Sequence, residues 1–224
     1  MKETLRGGQI TFHGPGQLVI YPILDLKAVK SEKWPKGLSA RCFVNVLEEA
    51  TINTLRPFGI TGFRTDNPGV WVSEGMKIAA LGLHLRRNIS SFGVGLNVRT
   101  DLRYFDKIVA CGLEGKRTTN IKETLREKYG RSVEEHLRAI KNEKSVREVA
   151  MHRAVIDRMK MTEVARLWVK EFRELIWGNE GVFEMYTAQG EGLERDVAKI
   201  LESANSAPHL QELREAKFVR MAEN

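Results

Sequence analysis

Fourteen of the nineteen glycines and five of the six prolines lie in residues 1–116, whereas the stretch from Ser132 to Trp177 contains neither. Proline removes a backbone donor and glycine weakens the interior of any element, so the two halves cannot follow one architecture. In the first half, short runs of β-branched and aromatic residues sit between these breakers. Gln17 to Leu24, Gly59 to Phe63, Gly69 to Val72, Met76 to Leu85 and Ser91 to Val98 read as strands. Between the first and second, Phe43, Val44, Val46, Leu47, Ala50 and Leu55 recur at helical spacing until Pro57 and Gly59 stop them. Cys42 lies within that apolar face and reads as core, and Glu48-Glu49 reads as a solvated pair.

In the uninterrupted half, Val155, Ile156, Met159, Val164, Leu167, Trp168, Phe172, Leu175 and Ile176 follow a three-to-four spacing, which predicts two or three amphipathic helices. From Glu191 to Asn224 the chain is charged, with shorter helical patterns broken at Ala207-Pro208. The expected organisation is an α/β core over residues 1–125, a helical continuation packing on it over 126–178, and a charged helical tail over 179–224.

With 42% hydrophobic and 29% charged residues the composition is that of a soluble globular protein. No run approaches the roughly 18 apolar residues of a membrane span. Two cysteines exclude a disulfide scaffold. The net charge of +7 comes mainly from residues 1–116, which carry 16 basic and 10 acidic groups. These charges are dispersed and no nucleic-acid motif accompanies them, so they predict steering toward an acidic protein rather than a nucleic acid.

The densest cluster of candidate chemistry is Arg6-Gly7-Gly8-Gln9-Ile10-Thr11-Phe12-His13-Gly14-Pro15-Gly16-Gln17. Its glycines let backbone amides approach a phosphate or an acyl carbonyl, yet the spacing fits neither the phosphate-binding loop nor the dinucleotide fingerprint. Cys111, in the run VACGL, is either an inert buried thiol or a nucleophile whose thiolate a nearby ammonium stabilises. Lys77 interrupts the apolar run GMKIAALGLHL, so it either points to solvent or works inside a cleft. The five histidines show no metal-ligand spacing, and no G-x-S-x-G elbow is present.

The run RGGQITFHGPGQLVIY, Arg6 to Tyr21, resembles the R-G-G-x-x-T-x-H-G-P-G-Q signature of the octanoyltransferases, also called lipoyl(octanoyl) transferases. Three further blocks follow in that family's order: PGVWV (Pro68 to Val72), KIAALGL (Lys77 to Leu83) and FGVGLNV…DL…ACG (Phe92 to Gly112). The resemblance covers about residues 5–125. It implies a fold like that of the biotin and lipoate protein ligases, a mixed sheet with packed helices, followed here by a mainly helical C-terminal extension. It also implies transfer of octanoyl from acyl carrier protein to a lysine of a lipoyl domain, with no ATP, metal or other cofactor. Cys111 would be the nucleophile that forms an acyl-thioester, and Lys77 would lower its pKa and accept its proton. Arg6 to His13 would line the substrate site. Ala80-Leu81-Gly82 and Gly93-Val94-Gly95 would supply backbone donors and a narrow apolar channel.

The same resemblance implies acidic protein partners, namely acyl carrier protein, the lipoyl domains of 2-oxoacid dehydrogenase complexes and the glycine cleavage H protein. Arg86 and Arg87 are the candidates for the docking surface, and activity is then expected to fall with added salt. Phe92-Gly93 stands where bacterial members usually have His-Gly, and alanine rather than proline precedes Cys111. Both features are more like the eukaryotic branch, for which a mitochondrial location is expected, against the cytoplasm for a bacterial member. Family members usually carry some tens of residues before the RGG motif, including a strand and a helix of the same sheet, so an exposed sheet edge is expected here. The competing readings are an ATP-dependent lipoate ligase and a catalytically silent protein that binds lipoyl domains or carrier protein.

Overall fold

A computed structural model describes residues 7, 10–108, 115–130, 160–178, 184–189 and 218–223. Strand β1 (Gln17–Ile23) leads through a loop to helix α1 (Ala40–Leu55) and a 3-10 turn (Arg56–Phe58). Strands β2 (Val70–Ser73), β3 (Met76–Arg86) and β4 (Ile89–Asn97) follow. A 3-10 turn (Leu102–Lys107), the short strand β5 (Arg117–Thr118) and helix α2 (Ile121–Leu125) close the first half. Helix α3 (Met161–Trp177) and strands β6 (Glu184–Gln189) and β7 (Phe218–Glu223) belong to the second.

The sheet runs β2-β3-β4-β1-β7-β6, with β5 pairing parallel to β3. Register puts Val19 beside Gly95, Ala80 beside Gly95 and Gly82 beside Gly93. Paired residues share a face, so Ala80, Gly82, Gly93 and Gly95 form one strip of small residues. Leu18, Ile20, Ala79, Val94 and Leu96 instead join the core cluster with the helices.

Helix α1 begins at Ser39, whose hydroxyl accepts the Cys42 N–H at 3.1 Å, and it yields to the 3-10 turn at Pro57. Helix α3 packs on α1 because Val164, Trp168, Phe172 and Ile176 fall on one stripe, each fully buried. Trp168 stacks on Phe172 at 4.9 Å and donates its indole N–H to the Thr51 hydroxyl at 2.9 Å. The Ser31 hydroxyl and the Trp34 indole donate to the carbonyls of Ile176 and Leu175, which lack helical partners at the end of α3. The predicted helix over this segment is therefore present. Val155, Ile156 and Met159 lie outside the described residues.

Two expectations are corrected. Gly59 to Phe63 forms no strand; Phe63 makes only an isolated bridge to Trp71 of the four-residue β2. Within the tail expected to be helical, 184–189 and 218–223 are strands, in runs that carry β-formers such as Tyr186, Thr187, Phe218 and Val219. Strand β7 pairs antiparallel along β1 from Leu18 to Ile23. An edge strand presents a row of unpaired N–H and C=O groups, and a further strand satisfies them.

Candidate active site

The small-residue strip leaves a cavity of about 290 Å³ between β3, β4 and the segment entering β1. Its walls include Gly7, Thr11, His13, Lys77, Ala80, Leu81, Gly82, Gly93, Val94 and Gly95, ten of the residues singled out from the sequence. The two central glycines act differently. A Cβ on Gly93 would sit 2.3 Å from the Ile20 carbonyl oxygen, so the backbone demands glycine there. On Gly95 it would meet only the ends of Gln17 and His13 at 3.4 Å, so that glycine is needed for room rather than for the chain path. Val94 and Gly95 are paired on both sides, to β1 and to β3. Their backbone groups belong to the ladders, so they contribute space and not the donors expected of them.

Lys77 is 7% exposed and lines this cavity. Its Nζ donates to the Pro68 carbonyl at 3.0 Å and lies 4.7 Å from the centre of the Trp71 ring. A second, small cavity of about 20 Å³ lies on its other side, lined by Thr11, Phe105, Lys116, Arg117 and Thr118 among others. Of the two readings open for Lys77, the structure selects the cleft. Burial of this kind is costly for an ammonium unless polar groups meet it.

The loop before β1 is held by a chain of hydrogen bonds. Asn97 donates to the Thr119 carbonyl at 3.1 Å, Gln17 donates to Asn97 Oδ1 at 2.8 Å, and His13 Nδ1 lies 2.7 Å from Gln17 Oε1. Because the carbonyl at the far end can only accept, the amides are oriented so that neutral His13 carries its proton on Nδ1. Its Nε2 is then the acceptor. Phe12 is absent from the walls of both cavities. It stacks on Tyr104 at 4.7 Å and meets Phe105 edge-on at 5.6 Å, which ties the loop to the Leu102–Lys107 turn. Ile10 is exposed.

Arg6, Gly8, Gln9 and Cys111 lie outside the described residues. The flanks of the Cys111 segment do not: Phe105 before it and Lys116 to Thr118 after it line the small cavity beside Lys77.

Sequence reasoning missed Tyr21, Val44, Asn67, Pro68, Leu83 and Phe92, which complete the larger cavity. Phe92 has a left-handed backbone (φ 62) and its ring meets Tyr21 edge-on at 5.6 Å. The reading of Glu48-Glu49 is corrected for the first of the pair. Glu48 is 4% exposed, accepts the Gly69 N–H at 2.9 Å and faces Arg64 Nε at 3.4 Å. Burial pushes its carboxyl above the ordinary value, opposed by the Gly69 hydrogen bond and by Arg64 and Lys77. The signal was present: Glu48 is four residues from both Val44 and Ile52, on the stripe that faces inward. Glu49 is partly exposed and pairs with Arg64 and Arg56.

A mixed sheet with packed helices thus carries an apolar cavity lined by small residues, with the buried Lys77 in its wall. The chain belongs to the family described as the lipoyl protein ligase A/B catalytic domain, whose model matches residues 2–145. It is 57% identical over 122 residues to a probable octanoyltransferase of Schizosaccharomyces pombe, which covers 54% of this chain and 52% of that one. It is 46% identical over 129 residues to a mitochondrial octanoyltransferase of Saccharomyces cerevisiae, 53% of this chain and 38% of the relative. It is 47% identical over 124 residues to the mitochondrial octanoyl-[acyl-carrier-protein]:protein N-octanoyltransferase of Xenopus tropicalis, 55% of this chain and 48% of the relative. The chain thus spans about half the length of these relatives or less. Among solved structures, lipoate-protein ligase A bound with ATP matches with a TM-score of 0.47 at 13% identity, over 90% of this chain and 67% of that one.

Proposed function

We propose that this chain transfers an octanoyl group from acyl carrier protein to a lysine of a lipoyl domain, in the manner of the octanoyltransferases it resembles. The observation that carries the reading is Lys77, a buried lysine in the wall of an apolar cavity lined by a strip of glycine and alanine. A volume near the lower end of the roughly 300–1,000 Å³ usual for small-molecule pockets suits a short acyl chain better than a nucleotide.

In this reading the Cys111 thiol gives its proton to Lys77, and the thiolate attacks the octanoyl carbonyl on the carrier protein. The carbon–sulfur bond to the phosphopantetheine arm breaks, that thiolate takes the proton from Lys77, and an enzyme thioester and a neutral Lys77 remain. The acceptor lysine amine then attacks the same carbonyl, Cys111 leaves as thiolate, and Lys77 takes the proton lost by the amine. Exchange of one thioester for another is nearly balanced, and formation of the amide drives the second step without ATP or a metal. The glycine cleavage H protein and the lipoyl domains of 2-oxoacid dehydrogenase complexes are the acceptors, and the names of the yeast and frog relatives favour a mitochondrial setting.

The test is intact mass after incubation with octanoyl-carrier protein and no ATP, with Cys111→Ala and Cys111→Ser alongside. A hydroxylamine-labile octanoyl adduct on the parent alone is expected. An adduct that persists on Cys111→Ser overturns the nucleophile, and dependence on ATP turns the reading toward a ligase. Binding of carrier protein without an adduct, from folded protein, would make the chain a silent binder.

A further inference from the structure

The amide joining Pro68 to Gly69 is gripped at both ends. Its N–H donates to Glu48 Oε1 at 2.9 Å, and its C=O accepts from Lys77 Nζ at 3.0 Å. No cis peptide occurs among the described residues, so the N–H and C=O of this unit point in opposite directions, with the carboxylate on one side and the ammonium on the other. Gly69 has a φ of 130°, and a Cβ there would lie 2.6 Å from the Ala79 carbonyl oxygen and within 3.3 Å of Lys77 Cε and Nζ. The approach of Lys77 to this peptide therefore needs glycine at that position. The carboxylate comes from α1, the peptide from the loop before β2 and the lysine from β3.

We propose that Glu48 is the positioning residue for Lys77, acting through the Pro68–Gly69 amide. A carboxylate on the N–H end orients the unit and draws its polarisation toward the carbonyl oxygen, where the buried lysine donates, and hydrogen bonds in such chains strengthen one another. The negative charge also favours the ammonium form of the lysine through space. Among the described residues, several other charged groups lie near this chain. Arg64 faces Glu48 from the loop before β2, Lys116 and Arg117 line the small cavity from the β5 side, and His13 lines the larger one. Glu49 is held by Arg64 and Arg56. The Trp71 ring covers the ammonium from β2. Loss of the Glu48 charge removes this attraction, so the proton affinity of the lysine falls. The catalytic meaning of this arrangement rests on the acyl-transfer reading, but the arrangement itself does not.

The test follows the Lys77 Cε signal against pH by NMR in the full chain labelled with [13Cε]lysine, for the parent, Glu48→Gln and Glu49→Gln, with folding checked by circular dichroism. Glutamine keeps an oxygen to accept the Gly69 N–H and removes the charge, together with the acceptor that faces Arg64. Glu48→Gln is expected to lower the Lys77 midpoint by on the order of one pH unit, about tenfold more neutral amine at a given pH. Glu49→Gln should move it far less. An unchanged midpoint in folded Glu48→Gln overturns the proposal. Should Glu48→Gln fail to fold, the parent decides the matter: its Lys77 signal must also record the titration of Glu48, above the ordinary glutamate range. A Lys77 signal that stays flat through that transition overturns the proposal. The pH profile of octanoyl-adduct formation is expected to shift with the lysine midpoint in Glu48→Gln. If the parent forms no adduct at any pH, the acyl-transfer reading fails while the lysine titration still judges the role of Glu48.

Discussion

The seam between α1 and α3 and the strip across β3 and β4 obey opposite rules of packing. In the seam, volume is filled: Phe43, Trp168 and Phe172 are fully buried and meet ring against ring. Across the strip, volume is withheld: Ala80, Gly82, Gly93 and Gly95 leave a cavity in a sheet whose other face is closely packed. Interiors are dense by default, so a void lined by small residues is stable only where a filled region elsewhere holds the frame. The contrast teaches that here the filled core and the open cavity are assigned to different layers, with α1 common to both through Phe43 and Val44.

Emptying the seam should have the largest effect. Trp168→Ala removes the stacked ring and leaves the Thr51 hydroxyl without the indole donor, and a loss of about 3–5 kcal/mol is expected in urea unfolding. The two glycines of the strip sharpen the comparison. Gly93→Ala forces a methyl against the Ile20 carbonyl and should cost about 1–3 kcal/mol of stability, as overpacking does. Gly95→Ala should leave the unfolding midpoint nearly unchanged and shift acyl preference toward shorter chains, by roughly tenfold in relative adduct rates of hexanoyl and octanoyl carrier protein. If Gly95→Ala instead unfolds the protein and leaves preference intact, the strip is structural and the distinction fails.

The smallest effect belongs to a surface turn outside both regions. Asp101 caps the Leu102–Lys107 turn, and hydrogen bonds from the Arg103 side chain and backbone hold its carboxyl down at about 2. A depressed carboxyl contributes stability above its ordinary value and loses it as pH falls through the folded value. The small difference in Tm between parent and Asp101→Ala should therefore be constant near neutral pH and vanish toward pH 2.

Local pattern carried much of the fold and of the site. The apolar spacing of α1, the stop at Pro57, the inward stripe of α3 and the alternating runs of β1, β3 and β4 are all properties of near neighbours along the chain. So is the isolation of Lys77 within an apolar run, which marked it as either outward-facing or functional. What escaped were contacts made across long separations. Glu48 looks like half of a solvated pair until Gly69 and Arg64 come to meet it, and Phe12 looks like part of a binding loop until Tyr104 and Phe105 take it. Likewise the runs 184–189 and 218–223 carry weak local preference, and the unpaired edge of β1, some two hundred residues earlier in the chain, supplies the partner that makes 218–223 a strand.

The amino-acid sequence alone thus determined β1, α1, β2, β3, β4 and α3, the family pattern and the residues of the cavity strip, because periodicity, turn chemistry and the absence of side chains act locally. Only the tertiary structure decided which carboxylate is buried, which readings of Lys77 and Phe12 hold, and what pairs with β1. Burial, charge pairing and edge pairing are energies of contact between distant segments, and these exist only once the chain has closed upon itself.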